Sequence, residues 1–524
     1  MEGCWYDSSA GERVAEFFHD FLRHSKGRWA GKPFDLLPWQ RDEIIDPLFG
    51  WMRADGSRRF RRAYVEIPKK NGKSTLGSGL GLYFLVGDAE AGAEVYSAAA
   101  SRDQASIVHN EAIEMVKASA ELQSVLRVNR HTWTIHFEQG SGIYRAIASD
   151  ADTTEGKNIH AVVIDELHAW THGRTFYESL RYGGAARHQP MIFQITTAGV
   201  FDATSICWEE HSYAEGIIDG HIPDTTVFPY IRAAGKDDDW GSEATWKKAN
   251  PSWGVTIKAD EMRESFEEAR IKPGKENSFK RYRLNVWTQA ADRWISSDHW
   301  AACADPNCLN GLDGEPCVGA LDLSSTRDLT AFVLIFPRND GTFIVKPHLF
   351  APEDCVTERS QKDNVPYKLW ADQGMLTLTP GNVTDYTFVE AAVVEASKRY
   401  SLGEVAYDKW GAADLVLRLK DNHGIPVVAF GQTIANFAEP TKRFADLIAS
   451  RKLIHPANPV MDWCAGNVVV SADASGNIRP VKNKSREKID PIVAAIMALG
   501  RIIADPDAAT GGSSVYETRG LLEV

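Results

Sequence analysis

The apolar positions in the first half of the chain fall in short runs at residues 63–67, 93–98, 161–165 and 191–196, rich in β-branched or aromatic side chains. Between them lie segments of helical spacing, one opening near Lys73 and one over residues 102–118. Continuous apolar runs mean strands covered on both faces, and strands alternating with helices mean a doubly wound, mostly parallel α/β sheet. The grammar changes over residues 236–290, where Lys, Glu and Trp recur at helical spacing and predict a small helical linker or lid. A second β-rich block begins at Cys317, with runs at 318–324, 330–336 and 342–349, a helical run at 388–399, a strand at 404–408 and an apolar closing helix at 490–503. The expected division is therefore a first domain over 1–235, a helical linker over 236–292, a second domain over 293–505 and a loose Ala-, Gly- and Ser-rich tail over 506–524.

Composition narrows the chemistry. The chain has 524 residues, 44% hydrophobic and 25% charged, which is globular composition and excludes a mostly disordered protein. Its 58 basic and 71 acidic residues give −13, so any contact with nucleic acid must be local. Two basic clusters, Arg58, Arg59, Arg61 and Arg62, and Lys482, Lys484, Arg486 and Lys488, read as solvated faces until a site is found beside them. The 7 cysteines are scattered, without the paired spacing of a zinc site, which fits a reducing compartment. No apolar run is long enough to span a bilayer and the N-terminus lacks an export signal, so the expectation is a soluble, unexported protein with no membrane partner.

The segment Pro68-Lys69-Lys70-Asn71-Gly72-Lys73-Ser74-Thr75 stands between an apolar strand and a helix, where a phosphate-binding loop belongs. Backbone N–H groups and the helix start would surround the phosphates of ATP, Lys73 would add a point charge, and the Ser74 hydroxyl would hold Mg²⁺. A strict motif has Gly where this chain has Ile67. Downstream, Ala161-Val162-Val163-Ile164-Asp165-Glu166 is an apolar strand ending in two acids; Asp165 would complete the Mg²⁺ shell and Glu166 would orient and deprotonate water. Taken alone, the two acids read equally well as a helix cap. A third apolar strand ends in Thr196-Thr197, placed to sense the γ phosphate and couple hydrolysis to movement, and Gln40 precedes the first strand, where its amide could read the adenine edge with two hydrogen bonds.

In the second block Asp322 interrupts an apolar strand, Asp408 ends another and Asp490 opens the last helix. A lone buried carboxylate is costly without a cation or hydrogen-bonded partner. Three such acids can converge on two Mg²⁺ or Mn²⁺ ions about 3.5 to 4 Å apart, the arrangement that activates water against a phosphodiester. The bland alternatives are ion pairs with Arg or Lys for Asp322 and Asp408, and a helix cap for Asp490, which precedes Pro491. Asp328 is a possible fourth ligand, more simply a loop residue.

The order of these motifs, from about residue 37 to 503, resembles the large subunit of tailed-bacteriophage terminases. Residues 68–75 look like that family's deviant phosphate loop, in which Lys69 stands close to the phosphates and Asn71, Gly72 and Thr75 complete the ATP cradle; 162–166 and Thr196-Thr197 match its later ATPase motifs. The segments Glu276-Asn277-Ser278-Phe279 and Arg283-Leu284-Asn285-Val286-Trp287 resemble its linker, and Asp322, Asp408 and Asp490 fall where it keeps its nuclease acids. The resemblance implies an N-terminal P-loop ATPase of the ASCE type, a lid and a C-terminal RNase H-like nuclease. It implies double-stranded DNA pumped into a procapsid by a pentameric homo-oligomeric ring on the portal protein, a small terminase subunit as partner, and the host cytoplasm as its place of action. A neighbour's basic residue would complete the ATP site, with Arg102, Arg145 and Arg174 unranked as candidates. Asp165-Glu166-Leu167-His168 also reads as the DExH box of a helicase or repair ATPase, but the second half shows no second phosphate loop. A capsid or portal scaffold with decayed motifs is the non-enzymatic alternative; the retention of Lys73, Glu166 and the three acids speaks against it.

Overall fold

A computed structural model describes residues 3–129, 132–149, 156–170, 173–235, 237–289, 293–323, 329–408, 413–473, 475–482 and 488–506. Asp328, Lys484, Arg486 and all but the first residue of the expected tail lie outside them. The chain divides into two compact units, Met1–Glu268 with Ser278–Thr288, and Ala269–Asn277 with Gln289–Val524.

The first unit is built on an 8-stranded sheet. Its strands are β1 (Arg62–Glu66), β2 (Glu94–Ala99), β3 (Leu126–Asn129), β4 (Thr134–Phe137), β5 (Gly142–Ala148), β6 (Ile159–Asp165), β7 (Met191–Thr196) and β8 (Val227–Ile231). They lie in the order β8-β1-β7-β6-β2-β5-β4-β3, parallel from β8 to β5 and antiparallel at the β5-β4-β3 edge. Alternate residues of the apolar runs serve opposite faces. Val163 and Ile195 join Leu76 and Leu80 of helix α1 (Lys73–Leu82) and Val108 of helix α2 (Arg102–Ala118) in one core. Val162 and Ile164 join Ile206 and Ala214 of helix α3 (Ile206–Ile218) in the other. The helix α1 lies so close on β6 that a Cβ at Gly77 would stand 3.0 Å from Val163 Cγ1. The expected helical segment is present as Glu243–Ala249, Ala259–Ile271 and Pro273–Leu284.

One basic cluster does not behave as a solvated face. Arg58 is 3% exposed, ion-paired with Asp88 and donating to Gln189 O at 2.6 Å, while His160 Nε2 stands 2.8 Å from the other Asp88 oxygen. Arg62 pairs with Glu210 at 3.2 Å. Charge runs say nothing of burial when the partner acid is distant in sequence.

The second unit holds a 7-stranded sheet of β9 (Pro316–Asp322), β10 (Thr330–Pro337), β11 (Phe343–Pro352), β12 (Thr377–Thr379), β13 (Ser401–Tyr407), β14 (Val427–Ala429) and β15 (Leu453–Ile454). The order is β12-β11-β10-β9-β13-β14, with β15 on β11; β9, β10 and β11 form an antiparallel meander and β13 joins β9 in parallel. Helix α4 (Tyr386–Arg399) covers Leu321, Phe332 and Leu334 with Val389 and Val393. The other face, Val318, Ala320, Val333 and Ile335, meets helix α5 (Ile434–Ala449) and the almost wholly buried helix α6 (Asp490–Ala504). A mixed sheet opening on an antiparallel meander is not the second parallel ATPase-like sheet that a helicase requires. All 7 cysteines are free. Among the described residues no helix is long and apolar enough to cross a membrane.

Candidate active sites

In the first unit the parallel strands end on one edge, and the motif residues gather there because each follows a strand of that edge. Ile67 extends β1, its N–H donating to Thr196 O at 3.1 Å and its side chain fully buried. An Ile rather than a Gly is accommodated because the chain turns only later, at Lys70 (φ 70) and Gly72 (φ 85). Such left-handed conformations disfavour a Cβ, and Gly72 also faces Gln40, whose Nε2 would lie 3.5 Å from a Cβ there.

Lys73, 5% exposed, donates to Ile67 O at 2.9 Å, to Pro68 O at 3.2 Å and to Thr197 Oγ1. Burial pushes its ammonium down to about 8, while Glu166 and Asp165 pull the other way. Ser74 Oγ donates to Asp165 Oδ2 at 3.2 Å, so the two expected Mg²⁺ ligands already face each other. Burial and the adjacent Glu166 raise the Asp165 carboxyl to about 6. Burial would raise Glu166 too, but the His168 hydrogen bond, Lys73 and Lys69 bring it down to about 2. Glu166 is therefore the more acidic member of the pair. His168 Nδ1 stands 3.0 Å from Glu166 Oε2 and 3.2 Å from Thr196 Oγ1, joining the acid to the end of β7. The helix-cap alternative fails locally, because Glu166 adopts φ 49 and makes no side-chain cap.

Beside this edge opens a cavity of about 490 Å³ lined by His24, Trp29, Phe34, Gln40, Gly72 and Thr75, among others. Its volume and aromatic walls, with the His24 and Phe34 ring centroids 4.6 Å apart, suit a purine base. Gln40 is 3% exposed; its Oε1 accepts the Leu37 N–H at 2.9 Å and its Nε2 is the end turned toward Gly72 of the loop. Two expected phosphate contacts are otherwise engaged. Lys69 Nζ lies over the Tyr282 ring, 3.9 Å from its centroid. The Asn71 amide donates to Pro68 O and Asn250 Oδ1 at 3.2 and 2.9 Å and accepts the Ser252 N–H at 3.0 Å, pinning the loop to the helical segment. Of the unranked arginines, Arg174 is held by Glu209 at 2.8 and 2.6 Å. Sequence reasoning missed His24, Trp29 and Phe34, whose only signal was an aromatic cluster upstream of the loop.

In the second unit Asp322 ends β9 in the Val318–Ala320 row, on the face covered by α6, whose first residue is Asp490. Leu321 pairs in register with Tyr407, so Asp408 follows at the end of the adjacent strand, near enough for its charge to act on Asp322. Asp322 and Asp490 are 1% and 3% exposed. Between them lies Lys482, its Nζ 2.9 Å from Asp322 Oδ1, 2.8 Å from Asp322 Oδ2 and 2.8 Å from Asp490 Oδ1. The second basic cluster is thus no solvated face at this position. Burial raises the Asp322 carboxyl against the pull of Lys482. Burial would lower Lys482, but Asp322 and Asp490 outweigh it and raise it. Asp490 is not a helix cap: Ile489 holds that position and Asp490 bonds Lys482 instead.

Among the described residues no three His, Cys, Asp or Glu side chains form a ready-made metal cage. The residues nonetheless fit divalent ions: Asp322 and Asp490 are buried carboxylates that share one cation, the Lys482 ammonium, and the charge of a third acid, Asp408, acts on Asp322.

Comparison with known proteins covers both halves of the chain. The family model described as terminase large subunit, ATPase domain, matches residues 38–216, and that of the endonuclease domain matches residues 221–505. The large terminase subunit of Enterobacteria phage HK97 is 29% identical over 94% of this chain and 95% of its own. Protein YmfN of Escherichia coli K12 is 30% identical over 66% of this chain and 78% of its own. The crystal structure of the HK97 large terminase, 28% identical, covers 94% of this chain and 99% of its own with a TM-score of 0.47. The chain belongs to the terminase large subunit family, and is an ATPase and endonuclease that uses nucleotide and divalent metal to act on DNA during packaging.

Proposed function

We propose that this chain is the motor and the scissor of a bacteriophage packaging machine, driving double-stranded DNA into a procapsid and cutting the concatemer. The observation that carries the motor reading is the single strand edge bearing Lys73 on Thr197, Ser74 on Asp165 and an ionised Glu166 on His168. Here Gln40 and the aromatic cavity hold the base, Gly72 and Thr75 shape the cradle, and Lys73 meets the phosphate charge. Lys69 reaches the phosphates only on leaving Tyr282, and Asn71 acts on the loop's shape. Ser74 and Asp165 hold Mg²⁺, Glu166 takes the proton of water, and Thr196 and Thr197 couple the nucleotide to the strand.

In the second unit Asp322, Asp408 and Asp490 would hold two Mg²⁺ or Mn²⁺ ions if Lys482 withdrew. Bound there, such ions would supply activation of water and stabilisation of the leaving oxygen of the phosphodiester. The working assembly is a homo-oligomeric ring, pentameric on a portal protein, with DNA chosen by a small terminase subunit in the host cytoplasm. The boundaries proposed for these activities are 1–235, 236–292, 293–505 and 506–524. Packaging of a linear duplex into purified procapsids, read as nuclease-protected DNA, tests the whole. Protection that depends on ATP and portal supports it, and ATP-independent protection contradicts it.

A further inference from the structure

Behind the phosphate loop lies a buried polar cluster that none of the chemistry above uses. Glu66, last in β1 and 0% exposed, collects four side-chain donors: Tyr64 Oη at 2.6 Å, His211 Nδ1 at 3.0 Å and Trp287 Nε1 at 3.3 Å on Oε2, and Asn285 Nδ2 at 3.1 Å on Oε1. Burial alone would raise this carboxyl; the charge of His211 and the hydrogen bonds bring it below the usual range. A packed apolar cluster would serve stability at least as well, so a cluster this polar points to a task beyond packing.

Asn285 is the hinge of the arrangement. It is 1% exposed, in the left-handed region at φ 57, and both ends of its amide are engaged. Its Oδ1 accepts the Ala198 N–H at 2.7 Å, and its Nδ2 donates to Arg232 O at 2.9 Å as well as to Glu66. Ala198 directly follows Thr196 and Thr197, whose hydroxyls meet His168 and Lys73. The segment around Asn285 is tied at both ends to the same edge: Lys69 N–H donates to Tyr282 O at 2.8 Å, and Phe201 N–H donates to Thr288 O at 2.8 Å. Beyond Thr288 the chain runs on into the second unit.

We propose that Asn285 is a positioning residue of ATP hydrolysis, fixing the turn after Thr197 to the end of β1 and passing nucleotide-dependent shifts of that turn to residues 282–288. The inference rests on the ATPase reading above and deepens it. Coupling of this kind is reciprocal: if nucleotide biases the segment, then the state of the segment biases the site.

Asn285→Gly is the informative variant, because Gly keeps the left-handed backbone and removes only the amide. Wild-type protein is measured first; if it neither binds nor turns over ATP, the ATPase reading itself falls. With an active wild type, Asn285→Gly is expected to lower kcat about tenfold while KM for ATP stays within about threefold, a split that uniform loosening of the site would not give. Metal-dependent DNA cutting by the same preparation stays unchanged. Hydrogen exchange supplies the second readout: adding a non-hydrolysable ATP analogue protects residues 282–288 in the wild type and not in the variant. Wild-type kcat together with wild-type protection in Asn285→Gly would overturn the inference alone. Should that variant fail to fold, Asn285→Asp, which sets a carboxylate against Glu66, is compared with Asn285→Asp/Glu66→Gln, which restores a donor–acceptor pair. Recovery of turnover in the double variant supports the relay, and equal turnover in the two contradicts it.

Discussion

The two sites solve one electrostatic problem in different ways. Each sets two acids at the end of an apolar strand or the start of an apolar helix, buried Asp165 with half-buried Glu166 in the first unit and buried Asp322 with buried Asp490 in the second, and each sets a lysine beside them. In the first unit the lysine belongs to the phosphate loop itself, is 5% exposed and is held by backbone and hydroxyl oxygens, so burial depresses it to about 8. In the second it arrives from the chain after the hairpin Val470–Ala472 and Ile478–Pro480, lies directly on the acids and is held charged by them. On the proposed function, an incoming polyphosphate would add the negative charge that favours the Lys73 ammonium. Lys482 lies on both Asp322 and Asp490, and on the function proposed above it occupies the position that divalent ions would take. The difference separates a lysine held by backbone and hydroxyl oxygens from one held by the acids themselves.

The largest effects should come from crossing the two sites. Glu166→Gln is expected to lower ATP turnover by about 10²- to 10⁴-fold while nucleotide still binds and DNA is still cut. Asp322→Ala should abolish Mg²⁺- or Mn²⁺-dependent nicking of plasmid DNA and leave ATP turnover intact. Loss of both activities from either change would erase the distinction between the sites. Next in size is Gly72→Ala. A Cβ at φ 85 costs about 1 to 2 kcal/mol, so ATP affinity should fall roughly tenfold or more, with cleavage unmoved. An unchanged dissociation constant would mean that the loop does not need its left-handed turn. The smallest and sharpest test sets the lysines against each other in metal-free, nucleotide-free buffer. Lys73→Met should raise the melting midpoint by a few degrees, because a buried ammonium with a depressed pKa costs stability, and Lys482→Met should lower it. The Lys482→Met deficit should close when Mn²⁺ is added; a deficit that persists would show that the lysine is not exchanging with metal.

Much of this organisation was written in local pattern. Continuous apolar runs located β1, β6, β7 and β9 to within a residue or two, since strands buried on both faces have little freedom in what they carry. The edge strands β3 and β4 were not foreseen, because mixed polar positions such as Arg127 and His136 give an edge hairpin no such signature. The acids were legible as charges where charges are expensive. Their partners were not: Lys482 on Asp322, Arg58 on Asp88 and Asn71 on Asn250 are pairings between residues far apart in sequence, which only the fold brings together. The cavity beside the loop was hidden for the same reason, its aromatic wall coming from residues 24–34 and its amide from Gln40. Lys69 shows the limit of motif reading, since a basic residue in a phosphate loop can rest on an aromatic ring instead.

The most direct measurement is a crystal of the protein soaked in Mn²⁺, with anomalous difference density calculated around the second unit. The account predicts peaks bounded by Asp322, Asp408 and Asp490, with the Lys482 ammonium withdrawn from both carboxylates. Density showing Lys482 still bridging Asp322 and Asp490, with no peak beside them at saturating Mn²⁺, would contradict it.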